Sequence, residues 1–176
     1  MDNKLTEQIA RQIEAAFANT PYPGDENISN HEREDLDEDF RGKHWRDIPL
    51  KSLFAHRSDL GFFTTEAFRF YLPAFVLGVL RHFDEVDTLT YNLIAYLSPD
   101  PYRGFPDPPK LDYEGRLKQR TAEFTTDEAA AVGGFLKAYE TLHPEQFEGS
   151  AISILLESAL PFWEAKVKAN AINRPN

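Results

Sequence analysis

Cysteine is absent from all 176 residues, which removes disulfides, thiolate nucleophiles and cysteine-type zinc sites by composition alone. A reducing compartment suits such a chain, and a cytoplasmic location is expected. Long apolar runs are missing as well: the most apolar stretch, 68–80, holds Arg69 and Pro73 and falls short of the ~20 residues that span a bilayer. No membrane association is expected, and the opening segment from Met1 to Glu7 lacks the basic start and apolar core of a secretory signal. Basic residues are in deficit. Lys and Arg number 19 against 29 Asp and Glu, a formal net charge of −10, so the summed field repels phosphate backbones and nucleic acid is not an expected partner. The chain also carries no Gly-x-Ser-x-Gly elbow, no glycine-rich phosphate loop and no dinucleotide fingerprint. None of its five histidines has a spacing that demonstrates a general-base partner. No cofactor is predicted.

What is present is the composition of a folded domain, with 41% hydrophobic, 27% charged and 13% aromatic residues. A chain of this length fits one domain and buries about 70% of its unfolded surface without staples, so residues 1–176 are expected to form a single domain. Leu5, Ile9, Ile13, Ala16 and Phe17 recur at helical steps and define a first amphipathic helix that ends near Asn19, before Pro21, Pro23 and Gly24. Ser29 and Glu32 have capping-box spacing ahead of Leu36 and Phe40, which predicts a short second helix. Asp47 before Pro49 reads as the cap of a third helix carrying Leu50, Leu53 and Phe54. Thr64 or Thr65 caps a central helix from Phe68 to Phe83, with a bend expected at Pro73. Asp87 caps a helix bearing Leu89, Leu93, Ile94 and Leu97.

Periodicity then disappears over 98–115, where five prolines sit among Tyr102, Phe105 and Tyr113. This long loop reads either as a docking or lid segment or as a strap clamped to the bundle by its own aromatics. Thr125 and Glu128 form a second capping box, opening a helix that ends at His143 and Pro144. A last helix runs from about Gly149 toward Ala171, bent at Pro161. The expected architecture is all-α: an irregular bundle of about six to seven helices with one proline-rich loop.

The chemistry concentrates between residues 25 and 47. Positions 25–39 hold eight acids against Arg33 alone, a local charge of −7. Carboxylates with a histidine suit a divalent metal, and His31, Asp35 and Asp39 are the candidate ligands, since each pair four apart shares a helix face. An EF-hand reading of Asp35, Asp37 and Asp39 fails, because Phe40 stands where glycine is needed and Arg46 where glutamate is needed. The alternative is a solvated acidic face. Arg41, Lys43, His44, Trp45 and Arg46 follow at once and are placed to pair with these acids across Gly42.

The blocks YPGDENI from Tyr22, DFRGKHW from Asp39 and FTTEAFRFYLP from Phe63 resemble those of a bacterial family of unknown function, over roughly residues 5–100. The resemblance implies bacterial origin and brings no activity, cofactor or catalytic residue. It directs attention to the polar and amphipathic members of the blocks, Asp25, Asn27, Arg41, Lys43, Trp45, Glu66, Arg69 and Tyr71, as ligand- or partner-binding candidates. These converge if the loop at Pro23 and the turn at Gly42 meet near the start of the central helix. On these grounds a non-enzymatic module that binds a basic protein partner through its acidic face is expected. The alternatives are a small metal-dependent or anion-binding enzyme built on 25–47, and blocks that serve architecture alone.

Overall fold

The apolar stripe of Leu5, Ile9 and Ile13 folds as α1 (Asn3–Ala16), and Phe17 follows it into the core. In this computed structural model the described residues are 3–30, 33–82, 87–143 and 150–172. His31, Glu32, Phe83, Pro144 and Gly149, all named above, lie outside them.

Local capping sets two of the long helices. The Thr64 hydroxyl accepts the Ala67 N–H at 3.0 Å and opens α4 (Thr65–Arg81). Thr125 and Glu128 make the reciprocal capping box that opens α7 (Thr126–Leu142). Each such cap contributes about 1 kcal/mol by satisfying amides that the helix start leaves without partners.

Two other expected starts move. Ser29 does not cap the second helix: its backbone forms an isolated antiparallel bridge with Phe63, and α2 (Glu34–Phe40) begins after Arg33, whose side chain makes no capping bond. Asp47 does not cap the third helix either. Trp45–Asp47 forms a 3-10 turn whose leading His44 ring accepts the Arg46 N–H, and Pro49 itself stands at the cap of α3 (Leu50–Ala55). The restriction a proline places on the residue before it rules out Asp47 as the cap, since Ile48, which would then be the first helical residue, is held extended at φ −72°, ψ 119°.

α5 (Asp87–Tyr96) follows, with Asp87 as its first residue, and α8 (Ala151–Ile172) closes the fold. Both α4 and α8 run as single elements through their internal prolines, Pro73 and Pro161. One helix falls where none was expected. α6 (Tyr113–Arg120) is capped by Asp112, whose carboxylate accepts the Gly115 N–H at 2.8 Å, so the proline-rich loop ends near 112. Among the described residues there are thus eight helices and no strand.

α4 is the centre. Thirteen of its 17 residues are buried, and it meets α1, α3, α5, α6 and the 3-10 turn. Gly78 lets α3 approach it closely, because a Cβ there would stand 3.0 Å from a Leu53 methyl. The five long helices neighbour one another in a closed order, α4 beside α1, α1 beside α7, α7 beside α8, α8 beside α5 and α5 beside α4. Inside that ring Phe124 meets Phe17, Phe68 and Trp163, and the Trp163 indole donates to the Leu97 carbonyl at 2.9 Å. A second aromatic group, Phe40, Phe63, Tyr71 and Phe75, fills the space between α2 and α4. One continuous apolar core therefore joins these elements, α6 excepted, in a single helical domain.

Candidate functional site

α2 is too short to persist by propensity alone, since an isolated helix needs roughly 12–15 residues even to be marginal. Its seven residues are held by two buried anchors, Leu36 and Phe40, and by a polar lattice on one flank. Arg33 forks two carboxylates: Nη2 lies 2.9 Å from Asp59 Oδ2, and Nε lies 3.1 Å from Asp35 Oδ1. The Asp35 bond, then the Asp59 bond, raises the Arg33 pKa above the ordinary arginine value, and the same bond to Arg33 holds the Asp35 carboxyl below its usual range. His56 completes the lattice. Its ring is buried at the end of α3, with Nδ1 3.0 Å from Asp59 Oδ2 and Nε2 3.1 Å from Asp39 Oδ2. α2 is thereby tied to the turn between α3 and α4.

This geometry rearranges the expected metal set. Asp39 sits on the far nitrogen of His56, and the ligand atoms that come together are those of Asp35, His56 and Asp59, all within 4.8 Å of one another. His31 lies outside the described residues. Arg33 shares the space beside Asp35 and Asp59, so a cation there competes with a guanidinium already in place.

The loop at Pro23 and the turn at Gly42 do meet. Gly24 and Gly42 have φ of +93° and +71°, the left-handed conformation that glycine adopts without strain. Tyr22 joins the two, donating its hydroxyl hydrogen to Asp25 at 2.7 Å and accepting the Gly42 N–H at 2.8 Å. Thr64 Oγ1 donates to the Asn27 carbonyl, and Tyr71 donates to the Phe40 carbonyl at 2.7 Å from the buried side. Burial, reinforced by Tyr22, pushes the Tyr71 phenol well above its ordinary pKa.

The other block residues disperse. Lys43 reaches back 2.7 Å to the Asp39 carbonyl, a cation at the negative end of α2. Arg41 pairs with Asp37 one turn earlier. Arg69 turns away to Glu128 on α7, and Glu66 is exposed. Trp45 is buried in the core with the Arg46 guanidinium 4.0 Å from its ring centroid. Sequence reasoning gave His56, Arg33 and Asp59 no role in the site. Their partners lie between 2 and 26 positions away, and no local pattern links them.

The family model for a family of unknown function (DUF6714) matches residues 6–167, and the chain belongs to that family. The match reaches well past residue 100, into α6, α7 and α8. No curated protein and no solved structure matches the chain. Among the described residues no helix is long and apolar enough to cross a membrane.

Proposed function

We propose that this chain is a non-enzymatic helical module that docks a basic protein partner on the acidic face of α2. The observation that carries the reading is the preorganisation of that face. Leu36, Phe40 and the Arg33–His56 lattice fix α2, while Glu34 and Glu38, one turn apart, are exposed and have no ion pair among the described residues. Fixed charges of one sign steer a complementary partner and lose little entropy on docking. The cations expected to hold a substrate anion are engaged elsewhere, Arg41 with Asp37, Lys43 with helix carbonyls and Arg69 with Glu128. This favours docking over an anion-binding enzyme in 25–47. The reading keeps the cytoplasmic, bacterial setting expected from the composition and the motif blocks.

The test is affinity capture at low salt with the native chain and an E34K/E38K variant. A partner held by the first, lost by the second and released by salt supports docking; identical capture by both overturns it.

The Asp35–His56–Asp59 grouping favours a second reading, a divalent cation that displaces Arg33. Chelator-treated protein melted against a panel of divalent ions tests this directly. A native-state ligand at 100 times its Kd adds about 2.7 kcal/mol, and the gain should vanish in Asp35→Ala. No shift with any ion removes this reading.

A further inference from the structure

We propose that the cavity enclosed by α5, α6 and the proline-rich loop binds a small aromatic carboxylate, with its acid group on Arg120 and Arg116 and its ring among tyrosines. The cavity measures about 470 Å³, within the range of small-molecule sites. Tyr91 and Tyr96 line it from α5, Tyr102 from the loop and Tyr113 from α6. Tyr102 and Tyr113 are in ring contact at 5.2 Å, which closes one side.

The charge of this cavity opposes that of the whole chain. Arg120 is partly buried, with its guanidinium 4.9 Å from the Phe68 ring centroid and one hydrogen bond to the Gly61 carbonyl. Neither it nor Arg116, one helical turn earlier, pairs with a carboxylate among the described residues. The nearby acids of α6 are committed: Glu114 pairs with Lys118 at 2.6 Å, and Asp112 caps the helix. Two like charges four apart on a helix repel. Burial pulls the Arg120 guanidinium below its ordinary pKa, and the Arg116 charge adds to that pull. In a chain of net charge −10, two uncompensated arginines on a cavity wall call for an anion from outside. The planar fork of arginine favours a carboxylate held by two parallel bonds, and the ring faces around it favour an aromatic body. No lining residue comes from α2, so the site stands whether or not a partner docks there.

The full chain is titrated by calorimetry with benzoate, phenylacetate, neutral phenylacetamide and phenyl phosphate. At least one of the two acids is expected to bind saturably, with phenylacetamide about tenfold weaker or worse, the scale of one charge-assisted bond. Arg120→Gln should cost a further factor of about ten. Because Arg120 also packs on Phe68, the exposed Arg116→Gln and the loop variant Tyr102→Ala are measured beside it, and each should weaken binding with the fold intact. Absence of binding by both acids, equal binding of the amide, binding of phenyl phosphate alone, or full affinity in both Arg116→Gln and Tyr102→Ala overturns the proposal. The E34K/E38K variant should bind the acid unchanged, so this proposal and the docking reading fail separately.

Discussion

Arg69 on α4 and Glu128 on α7 are joined across 59 positions of sequence, with Arg69 Nε 3.0 and 3.1 Å from the two carboxylate oxygens and Nη2 3.0 Å from Oε2. Glu128 is 1% exposed, and its oxygens also accept the Thr20 hydroxyl and the Thr125 N–H, each at 2.7 Å. One carboxylate therefore holds α4, α7 and the end of the α1 loop together. Removing the guanidinium strands a buried charge, so Arg69→Ala should lower the unfolding free energy by about 3–5 kcal/mol in a urea titration. A loss below about 1 kcal/mol would mean that water replaces Arg69 without strain.

His56 makes a more local claim. With its ring removed, Asp39 and Asp59 lose a shared hydrogen-bond partner, and His56→Ala should cost about 1–3 kcal/mol. Hydrogen exchange should show the damage first at the amides of α2, because only Leu36, Phe40 and the Arg33 fork would still anchor that flank. Uniform acceleration across all helices would contradict the assignment of His56 as the tie between α2 and the α3–α4 turn.

The pH dependence at the alkaline end has a definite sign. Burial raises the pKa of Tyr71 and Tyr96 in the folded chain, so near pH 10 the unfolded state releases phenolic protons that the folded state keeps. Folded protein then binds more protons than unfolded, and stability falls as pH rises. Their contribution is complete below about pH 10 and is lost above it. Across a series of denaturant midpoints begun at pH 8, the decline from this source should set in near pH 10, and it should be shallower in Tyr71→Phe.

Gly61 controls the cavity wall. A Cβ at this position would stand 3.1 Å from Tyr96 Cε1 and 3.2 Å from its hydroxyl, which donates to the Ser58 carbonyl at 2.8 Å. That bond restrains the ring from yielding, so Gly61→Ala should cost about 1–2 kcal/mol through overpacking. A thermal melt reads the stability loss, and the carboxylate titration should weaken in parallel.

Much of the fold was legible because its signals are local. The stripe of α1, the Thr64 cap and the Thr125–Glu128 box each complete themselves within a few residues, and those helices stand where expected. α6 was not legible: Leu117 is its only buried residue, so it has no apolar stripe, and its start rests on Asp112 amid prolines. Ser29 with Glu32 shows the opposite failure, a correct spacing whose first member pairs with Phe63 instead. In the candidate site the meeting of the Pro23 loop with the Gly42 turn was foreseeable, whereas Tyr22, which joins them, was not singled out. Arg120 carried no signal at all, because what distinguishes it is the absence, among the described residues, of a carboxylate paired with it in three dimensions.

The closed order of the five long helices has a consequence for cutting the chain. The loop that precedes α6 divides that ring into α1, α4 and α5 on one side and α7 and α8 on the other, and both seams, α1 with α7 and α5 with α8, are interfaces between the two pieces. Neither piece can bury its half of the Phe17, Phe68, Phe124 and Trp163 cluster alone. A chain cleaved between Pro106 and Leu111 is thus a heterodimer in waiting, two fragments that fold only upon finding each other, with the tyrosine cavity assembling at the break.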